Sequence, residues 1–467
     1  MISIDKSSKI SLYKQLYMQL KEQILTGKLI AGQKLPATRE LASDLMLGRN
    51  TVIAAYDQLL LEGFVKSVTG SGYYVEQIDF QNSIFLDMPS KIAALSPSIL
   101  TTHYKYDFQY GDLDYNCYQT KTWRKCVLEA FDQIALQSKI SYTEHQGNLQ
   151  LRKGLADYLH LARGVKCTSD QIVITSGHQH SLEIIAHIFS NKDWHFAMED
   201  PGYNGTRIVF ERNNHNIIPI PLESDGIMIS ALEDIHNALL YITPSHQFPM
   251  GSVLPITKRL SLLDWADQNN SYIIEDDYDS ELRYNTLPIP SLQSIDHYNR
   301  TIYLGTFSKS LSPDLRIAFL VLPESLMTLY NAKYQLSNCS VPSFLQIALA
   351  NFIRCGDYQK HINSLRAHYR KKNNLILTYL QKTLPPCVKI QGTSAGLHFI
   401  LTLDASLNQQ ELISRFAESQ IHVYATDIYW INQSVCPKNQ ILIGFSSIPT
   451  VEIPESIEKL SEVLRNI

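Results

Sequence analysis

The sequence predicts a multi-domain protein: a mostly helical winged helix at the N-terminus, a large α/β domain, and a smaller C-terminal α+β domain. Three observations support this prediction. The chain has 467 residues, which is too long for one typical domain. Residues 1–76 combine apolar residues at helical spacing with a glycine-interrupted hairpin pattern. From about Tyr104, short apolar runs alternate with helical stretches, as in α/β folds with a largely parallel sheet.

The composition excludes several classes of protein. The chain is 45% hydrophobic and 18% charged, as ordinary globular proteins are. No apolar run approaches the roughly 18 residues of a membrane span, and the start "MISIDKSSK" lacks the apolar core of a signal peptide, so we expect a cytoplasmic protein with no membrane partner. The seven cysteines are scattered without a CxxC pair, which predicts reduced thiols and no metal site. The net charge of −4 does not indicate nucleic-acid binding.

The first 76 residues have the pattern of three helices followed by a hairpin. A first helix, ending near Gly27, is defined by Tyr13, Leu16, Tyr17, Leu20 and Ile24. Thr38 can cap a short helix from Arg39 to Leu45, and Gly48 or Asn50 opens the next one. The residues expected to face inward on that last helix are Val52, Ile53, Tyr56, Leu59 and Leu60, and those expected to face outward are Arg49, Thr51, Ala55 and Gln58. The stretch "FVKSVTGSGYYV" then predicts strand, glycine turn and strand.

This order of elements predicts a winged helix-turn-helix. In that fold the second helix of the pair enters the DNA major groove, and the hairpin tip can touch the neighbouring backbone. Residues 77–103 follow without a sustained period, and Pro89 and Pro97 interrupt them, so we expect a linker there. We expect the large domain over residues 104–467, with its small subdomain starting near residue 355.

Polar residues follow the predicted strands of the large domain. The apolar runs are "QIVITS", "HFAMED", "LLYITP", "YIIEDD", "TIYLGT" and "RIAFLVLP". Ligands of open α/β sheets bind beyond the carboxyl ends of such strands. The first run is followed by Gly177 and a helix N-terminus, which is a favourable place for a phosphate. Later runs are followed by Tyr203, by Asp276, and by Lys309 among hydroxyl groups.

Together these residue types meet the needs of pyridoxal phosphate. That cofactor requires an amine whose pKa is lowered by burial, which Lys309 can supply. It requires a carboxylate at the pyridine nitrogen and an aromatic plate against the ring, for which Asp276 and Tyr203 are available. It also requires N–H, hydroxyl and arginine groups around its phosphate, and Arg316 follows Lys309 closely. Each of these residues alone is more often a surface charge, a turn or a cap.

Two parts of the chain resemble known families. The string "LPATRELASDLMLGRNTVIAAYDQLLLEGFV", with "TGSGYYV" after it, resembles the GntR-type winged helix. From about Tyr104 the chain resembles the class I aminotransferases of fold type I, and "SKSLSPDLRIAF" resembles their lysine motif. The order of the two domains resembles the MocR subfamily of GntR regulators, as do the loops "EDPGY", "TPSHQFPMG" and "EDDYDSE".

The resemblance implies roles for individual residues. The DNA contacts would be Arg39, Arg49, Asn50, Thr51, Thr69 and Gly70, with a solvated surface charge as the alternative for Arg39. Lys309 would form the Schiff base with pyridoxal phosphate, and Asp276 would pair with its pyridine nitrogen. Tyr278 would contact the ring hydroxyl, and Tyr203 would stack on the ring. The phosphate would lie among Gly177, His178, Gln179, Thr306, Ser308 and Arg316.

Three departures from these families bear on function. Gly48 stands where GntR proteins usually have serine or threonine, so a capping or phosphate-binding hydroxyl is missing. The stretches "VYATDIYWINQ" and "NQILIGFSSIP" lack the arginine that pairs with the substrate carboxylate in aminotransferases. Phe248 occupies the place of an asparagine that contacts the cofactor. Arg207 could serve a ligand instead or could be a surface residue.

The leading prediction is a transcription regulator that carries pyridoxal phosphate and senses a small amine, an amino acid or the cofactor itself. A working aminotransferase with an appended DNA-binding domain is the alternative, and the missing arginine weakens it. A cofactor-carrying scaffold without ligand response is a third hypothesis. The resemblance also implies a homodimer held by the large domain, whose two winged helices bind two DNA half-sites.

Overall fold

The structure is a computed structural model that describes residues 2–8, 10–77, 104–114, 117, 121–136, 141–191, 193–284, 289–403 and 408–466. The chain divides into two compact units, Met1–Thr101 and Thr102–Ile467. The predicted linker, residues 77–103, lies outside the described residues except for its first residue. Within the described ranges, no helix combines the length with the apolar character that a membrane crossing requires.

The N-terminal unit contains the three helices that the sequence predicts. They are α1 (Leu12–Leu25), α2 (Thr38–Asp44) and α3 (Arg49–Leu61). All three contribute to one apolar core, which includes Leu16, Leu20, Leu41, Tyr56 and Leu59. Burial of this shared face stabilises helices that are too short to persist alone.

Three details of the helix prediction are wrong. Ala37, and not Thr38, is the N-cap of α2, because its backbone is still extended while Thr38 is already helical. Ala55 is fully buried, whereas Leu60 is 38% exposed. The reason is the helical period: the buried positions of α3 include Val52, Ala55 and Leu59, which form one face, and Leu60 lies beyond its edge.

The wing follows directly. Strands β1 (Val65–Val68) and β2 (Gly72–Val75) pair antiparallel, and Thr69 and Gly70 lie in the turn between them. The segment before α2 extends this hairpin, because Leu35 N donates to Tyr73 O at 2.9 Å and Val75 N donates to Gln33 O at 2.9 Å. The predicted winged helix is therefore confirmed.

The large unit begins with the short strand β3 (Tyr106–Asp107) and the helices α4 (Lys121–Ala135) and α5 (Leu149–Arg163). Its main sheet has eight strands: β4 (Ile172–Thr175), β5 (His195–Asp200), β6 (Ile217–Glu223), β7 (Gly226–Ile227), β8 (Ala238–Ile242), β9 (Tyr272–Asp277), β10 (Thr301–Thr306) and β11 (Ala318–Val321). All six predicted apolar runs are strands of this sheet.

The direction of the strands explains where the polar residues meet. The spatial order is β4-β11-β10-β9-β8-β5-β6-β7. Strands β10, β9, β8, β5 and β6 pair parallel in succession, while β11 runs antiparallel to both of its neighbours. Strand β4 therefore points the same way as β10. The carboxyl ends of β4, β5, β8, β9 and β10 share one edge of the sheet.

Helices cover the main sheet. They are α6 (His178–Ile188), α7 (Asn204–Arg212), α8 (Ile256–Gln268), α9 (Leu292–Ile295), α10 (Glu324–Tyr334) and α11 (Ser343–Arg354). Short 3₁₀ helices cover Ser169–Gln171, Ile229–Leu232, Pro313–Leu315 and Asp427–Tyr429. Successive residues of one strand enter different cores, Ile273 on one side of β9 and Ile274 on the other, so the sheet is buried on both faces.

The C-terminal part forms a second, smaller layered structure. The long helix α12 (Asp357–Thr383) leads into β12 (Val388–Gln391), β13 (His398–Leu403), α13 (Gln409–Glu418), β14 (Ile421–His422), β15 (Tyr424–Ala425), β16 (Gln440–Gly444) and α14 (Ile453–Arg465). Four of these strands form an antiparallel sheet in the order β12-β13-β16-β15. Strand β14 pairs instead with β3, so the start of the large unit packs with its end.

Candidate functional site

A cavity of about 340 Å³ lies at the carboxyl ends of the parallel strands. Nine of the ten residues predicted to bind the cofactor line it: His178, Gln179, Tyr203, Asp276, Tyr278, Thr306, Ser308, Lys309 and Arg316. The tenth, Gly177, directly precedes the cavity-lining His178. Phe248 also lines the cavity, as do five residues that sequence reasoning did not assign to the site: Tyr110, Gly111, Tyr241, Thr243 and Pro313.

Lys309 lies in the loop that follows β10. Its Nζ atom donates to Gly111 O at 3.3 Å and lies 4.4 Å from the centroid of the Tyr110 ring. Burial lowers the pKa of Lys309 to about 8, although the negative charges of Asp279 and Asp112 act in the opposite direction. A substantial fraction of this amine is therefore neutral near pH 8, as a nucleophilic lysine must be.

Asp276 belongs to β9 and is almost fully buried. Its Oδ2 atom accepts a hydrogen bond from the hydroxyl of Tyr241, and the Nε2 atom of His178 lies 2.9 Å from the same oxygen. Its Oδ1 atom has no hydrogen-bond partner among the described residues. A buried carboxylate oxygen without a partner is costly, so this atom suits a cationic or N–H group of a bound ligand.

Polar groups converge where β4 turns into α6. Gly177 is the N-cap of α6 with φ +101°, so the first N–H groups of that helix are available to an anion. The guanidinium of Arg316 lies against Gly177: a Cβ atom on this glycine would lie 2.7 Å from Arg316 Cζ. The hydroxyls of Thr306 and Ser308 bond to each other at 3.0 Å nearby in the lining. This end of the cavity can hold a phosphate.

Aromatic rings form much of the remaining wall. Phe248 is their common neighbour, and its ring centroid lies 5.2 Å from that of Tyr110, 5.9 Å from Tyr203 and 6.1 Å from Tyr278. Tyr429, outside the lining, packs against Phe248 at 4.9 Å. Burial raises the pKa of Tyr203 and of Tyr278, which therefore remain neutral hydroxyls. Phe248 itself adds apolar surface to this wall.

A buried histidine and carboxylate stand behind this wall. His246 Nδ1 lies 2.8 Å from Asp279 Oδ2, and both side chains are almost fully buried. The hydroxyl of Tyr278 donates to His246 O at 3.0 Å, which fixes the direction of this cavity-lining ring. Close packing explains Gly396, because a Cβ atom there would lie 2.6 Å from Asp279 Oδ2.

A second buried ion pair supports the strand end that carries Asp276. Arg163 Nε donates to Asp277 Oδ2 at 2.7 Å, and Arg163 Nη2 donates to Ser245 Oγ at 2.7 Å. The hydroxyl of Tyr303 also donates to Asp277 Oδ2. Asp277 therefore points into the protein and holds β9 against α5, while Asp276 lines the cavity.

Arg207 is engaged with the protein. Its Nη1 and Nη2 atoms donate to Trp430 O and Ile428 O, both at 3.2 Å. The same loop is held by Asp200, whose carboxylate accepts from Ile431 N at 2.7 Å and from Asn432 N at 2.9 Å. Arg207 does not line the cavity and fastens this loop to α7.

Five of the six predicted DNA contacts are exposed on the N-terminal unit. Arg39 is the second residue of α2, and Arg49 and Asn50 open α3. Thr51 is half-buried, while Thr69 and Gly70 are exposed at the tip of the wing. Gly48 caps α3 without a side-chain hydrogen bond, as its missing hydroxyl implies. Positive charge therefore lies at the N-terminus of the helix that would enter the groove.

Comparisons with known proteins match both units. The family "Bacterial regulatory proteins, gntR family" matches residues 12–75, and "Aminotransferase class I and II" matches residues 108–454. The uncharacterized HTH-type transcriptional regulator YdeL of Bacillus subtilis is 36% identical, covering 98% of this chain and 97% of its own. The "Probable rhizopine catabolism regulatory protein MocR" of Rhizobium meliloti is 30% identical, covering 98% of this chain and 95% of its own.

A solved structure supports the fold of the large unit. Kynurenine aminotransferase of Pyrococcus horikoshii superimposes with a TM-score of 0.71 and 25% identity, covering 79% of this chain and 92% of that one. A winged helix joined to an aminotransferase fold defines a DNA-binding transcription regulator. The chain belongs to the MocR-type regulators of the GntR family, with an aminotransferase class I and II domain. The predicted family, fold class and regulatory function are confirmed.

Proposed function

We propose that this regulator holds pyridoxal phosphate in the cavity around Lys309, and that an amino compound or the cofactor itself controls DNA binding by occupying that cavity. One observation carries the proposal. Lys309, whose pKa is lowered to about 8, and Asp276, which has a buried oxygen without a partner among the described residues, line the same cavity. The two ends of the cofactor's conjugated system are its aldehyde, which requires an amine such as Lys309, and its pyridine nitrogen, which requires a carboxylate such as Asp276.

The cavity residues fit this cofactor. When bound, pyridoxal phosphate supplies an aldehyde carbon that exchanges amines and a ring that withdraws electrons. Asp276 would hold the protonated pyridine nitrogen through Oδ1. Tyr203 would stack on the ring, and Tyr278 would contact its hydroxyl. The phosphate would be held by Gly177, His178, Gln179, Thr306, Ser308 and Arg316, where a glycine leaves room and a helix N-terminus favours negative charge.

Transamination is the alternative activity. Lys309 and Asp276 permit proton transfer to and from a bound amine, so turnover is chemically accessible. Sustained turnover also needs an amino-acid substrate to be held firmly through its carboxylate. The only arginine among the described lining residues is Arg316, at the end assigned to the phosphate. Steady turnover of an amino acid and a 2-oxo acid by the purified protein would establish the alternative.

DNA recognition is assigned to the N-terminal unit, residues 1–76. Arg49, Asn50 and Thr51 would enter the major groove at the N-terminus of α3, and Arg39 would bind the DNA backbone. Thr69 and Gly70 would touch the backbone beside it. We propose the cytoplasm as the location of this activity.

A homodimer held by residues 104–467 would carry two winged helices and bind two half-sites cooperatively, with residues 77–103 as the linker. Leu128 and Phe131 on α4 support this, since they are 55% and 51% exposed. A fragment lacking residues 1–103 should be dimeric and bind the cofactor in analytical ultracentrifugation with absorbance detection. A monomeric fragment would contradict both the dimer and the two-headed binding.

The regulatory proposal is tested by DNA affinity. A ligand shifts DNA binding only by its different affinity for the two arrangements of the protein. The affinity of the full chain for an operator selected from random DNA is measured with the cofactor removed, restored, and restored with amines. We expect the affinity for the operator to change about 5-fold or more when the ligand is added. The surface control Lys153→Ala should keep this response, and Lys309→Ala should lose it. An equal response in Lys309→Ala would refute the proposal.

A further inference from the structure

We infer that the ligand-facing side of the cavity selects a primary amine that carries an apolar or aromatic group and no carboxylate. This inference rests on the proposed function and identifies the chemical class of the effector. Three features of the cavity support it: the placement of its cations, its aromatic wall, and the acidic residues beside Lys309.

The basic side chains of the cavity already have other roles, so they are not free to pair with a carboxylate on the effector. Among the described lining residues, the lysine and arginine side chains are Lys309 and Arg316. Arg316 lies against Gly177 at the N-terminus of α6, and its Nη2 atom donates to Ser176 O at 3.5 Å. Lys309 is the amine that the proposed cofactor uses. A carboxylate on the effector would find no further guanidinium among these lining residues.

The arginine closest in sequence to Tyr203 is also committed. The terminal nitrogens of Arg207 donate to the carbonyls of Trp430 and Ile428, each at 3.2 Å. To reach a ligand, Arg207 would have to leave both carbonyls and release the loop that carries Tyr429. That loop is fastened a second time by Asp200, through its two bonds to Ile431 N and Asn432 N.

The aromatic wall fits an apolar or aromatic substituent. Phe248 meets the lining rings of Tyr203 and Tyr278 edge to face, with interplanar angles of 86° and 88°. Tyr429 packs against Phe248 from outside the cavity lining at an angle of 87°. The centroid of the Tyr110 ring lies 5.2 Å from that of Phe248. A wall of such rings packs well against apolar and aromatic groups, and it solvates a carboxylate poorly.

The local field opposes an anion. Asp279 and Asp112 both act to raise the pKa of Lys309, so their negative charges are felt at its amine. A carboxylate on a ligand bound next to that amine would meet the same two charges. Repulsion between like charges is stronger in a partly desolvated site than in water. The same field favours an ammonium group as it approaches.

Matched pairs of ligands that differ only in the carboxylate test this inference. Tyramine against tyrosine, and phenethylamine against phenylalanine, are titrated into the full chain loaded with pyridoxal phosphate. The readout is the change in visible absorbance of the cofactor. We expect half-saturation by each amine at a concentration at least about tenfold below that of its amino acid, which corresponds to about 1.4 kcal/mol.

Two variants test whether the aromatic wall is the part of the cavity that binds the apolar group of the amine. Phe248→Ala should raise the half-saturation concentration of phenethylamine about tenfold, because the ring that packs against the other aromatic lining residues is lost. The control Tyr298→Ala, at an exposed ring whose hydroxyl donates to Asp264 Oδ1 at 2.9 Å, should leave it unchanged. Amino acids that bind as well as their amines, amines that leave the absorbance unchanged, or equal effects of the two variants would each overturn the inference. A chain that takes up no cofactor would instead refute the proposed function beneath it.

Discussion

His246 Nδ1 lies 2.8 Å from Asp279 Oδ2 in a buried pair that stands behind the aromatic wall of the cavity. The backbone of the same histidine helps to orient the wall, because the Tyr278 hydroxyl donates to His246 O. The pair also acts on the amine, since Asp279 is the larger of two acidic influences that raise the pKa of Lys309 against the effect of burial. The net pKa of about 8 is therefore a balance between desolvation and this carboxylate.

Replacing Asp279 by asparagine should lower the pKa of Lys309 below about 8. Asparagine keeps an oxygen acceptor for His246 but removes the charge that stabilises the protonated amine. Because only the neutral amine reacts with an aldehyde, the reaction should become fast at a lower pH than in the parent chain. The pH dependence of the rate at which stripped protein takes up pyridoxal phosphate measures this shift.

The control for that experiment is Asp267→Asn, which removes an exposed carboxylate paired with Arg300 at 3.5 Å. Its pH profile should match that of the parent chain. A midpoint for Asp279→Asn that is unchanged, or that moves to higher pH, would contradict the assigned influence of Asp279.

Gly177→Ala should weaken binding of the cofactor through its phosphate. Its φ of +101° disfavours any side chain, and the new Cβ atom would lie 2.7 Å from Arg316 Cζ, so the guanidinium must move. The loss of one charge-assisted bond is about 1.5–3 kcal/mol, so affinity for pyridoxal phosphate should fall about tenfold or more. Affinity for pyridoxal, which lacks the phosphate, should change much less.

Gly154→Ala is the matched glycine-to-alanine control for the Gly177→Ala experiment. Gly154 lies inside α5, and the nearest atom to a new Cβ would be Ile353 Cγ2 at 3.5 Å, an ordinary contact. Equal loss of affinity for both forms of the cofactor in Gly177→Ala would mean that the phosphate is held elsewhere.

Arg163→Met should destabilise the large unit by about 3–5 kcal/mol, because Asp277 would be left as a buried charge without its cation. Arg300→Met breaks an exposed pair and should cost less than about 1 kcal/mol. All four tryptophans, Trp123, Trp194, Trp265 and Trp430, lie in the large unit, so tryptophan fluorescence during urea unfolding reports on that unit alone. Equal urea midpoints for the two variants would show that the buried Arg163–Asp277 pair contributes no more to stability than the exposed Arg300–Asp267 pair.

Arg49→Ala should reduce specific DNA binding about tenfold or more, since one good base or phosphate contact is worth roughly 1–3 kcal/mol. The absorbance of the bound cofactor should not change, because the residue belongs to the other unit. Lys14→Ala, an exposed charge on α1, is the control for a general loss of positive charge. A gel-shift assay in which both variants behave alike would remove Arg49 from the recognition surface.

Much of the cavity follows from local sequence signals. Lys309, Asp276 and Gly177 each stand at the end of an apolar run, and parallel strands bring such ends to one edge. Tyr241 was not predicted as a site residue, because it lies inside the run "ALLYI" and has the pattern of a core residue. Only the pairing of β8 with β9 shows that its hydroxyl reaches Asp276.

The buried pairs between residues far apart in the chain could not be predicted from the sequence for the same reason. Arg163 is separated by 114 residues from Asp277, and His246 by 33 residues from Asp279. Nothing in the local pattern around Arg163 distinguishes it from a surface charge at the end of a helix. Its role depends on where α5 crosses the sheet. Arg207 likewise resembled a candidate for ligand binding until its two bonds to the 428–430 loop were visible.

The central claim is that Lys309 is the residue that joins pyridoxal phosphate to this regulator. Borohydride reduction of the cofactor-loaded full chain, followed by peptide mapping, tests it most directly, since reduction fixes the cofactor to the amine that holds it. We predict a single phosphopyridoxyl label on Lys309 in the parent chain and no label in Lys309→Ala of unchanged fold. A label on any other lysine, or a parent chain that remains unlabelled, would contradict the account.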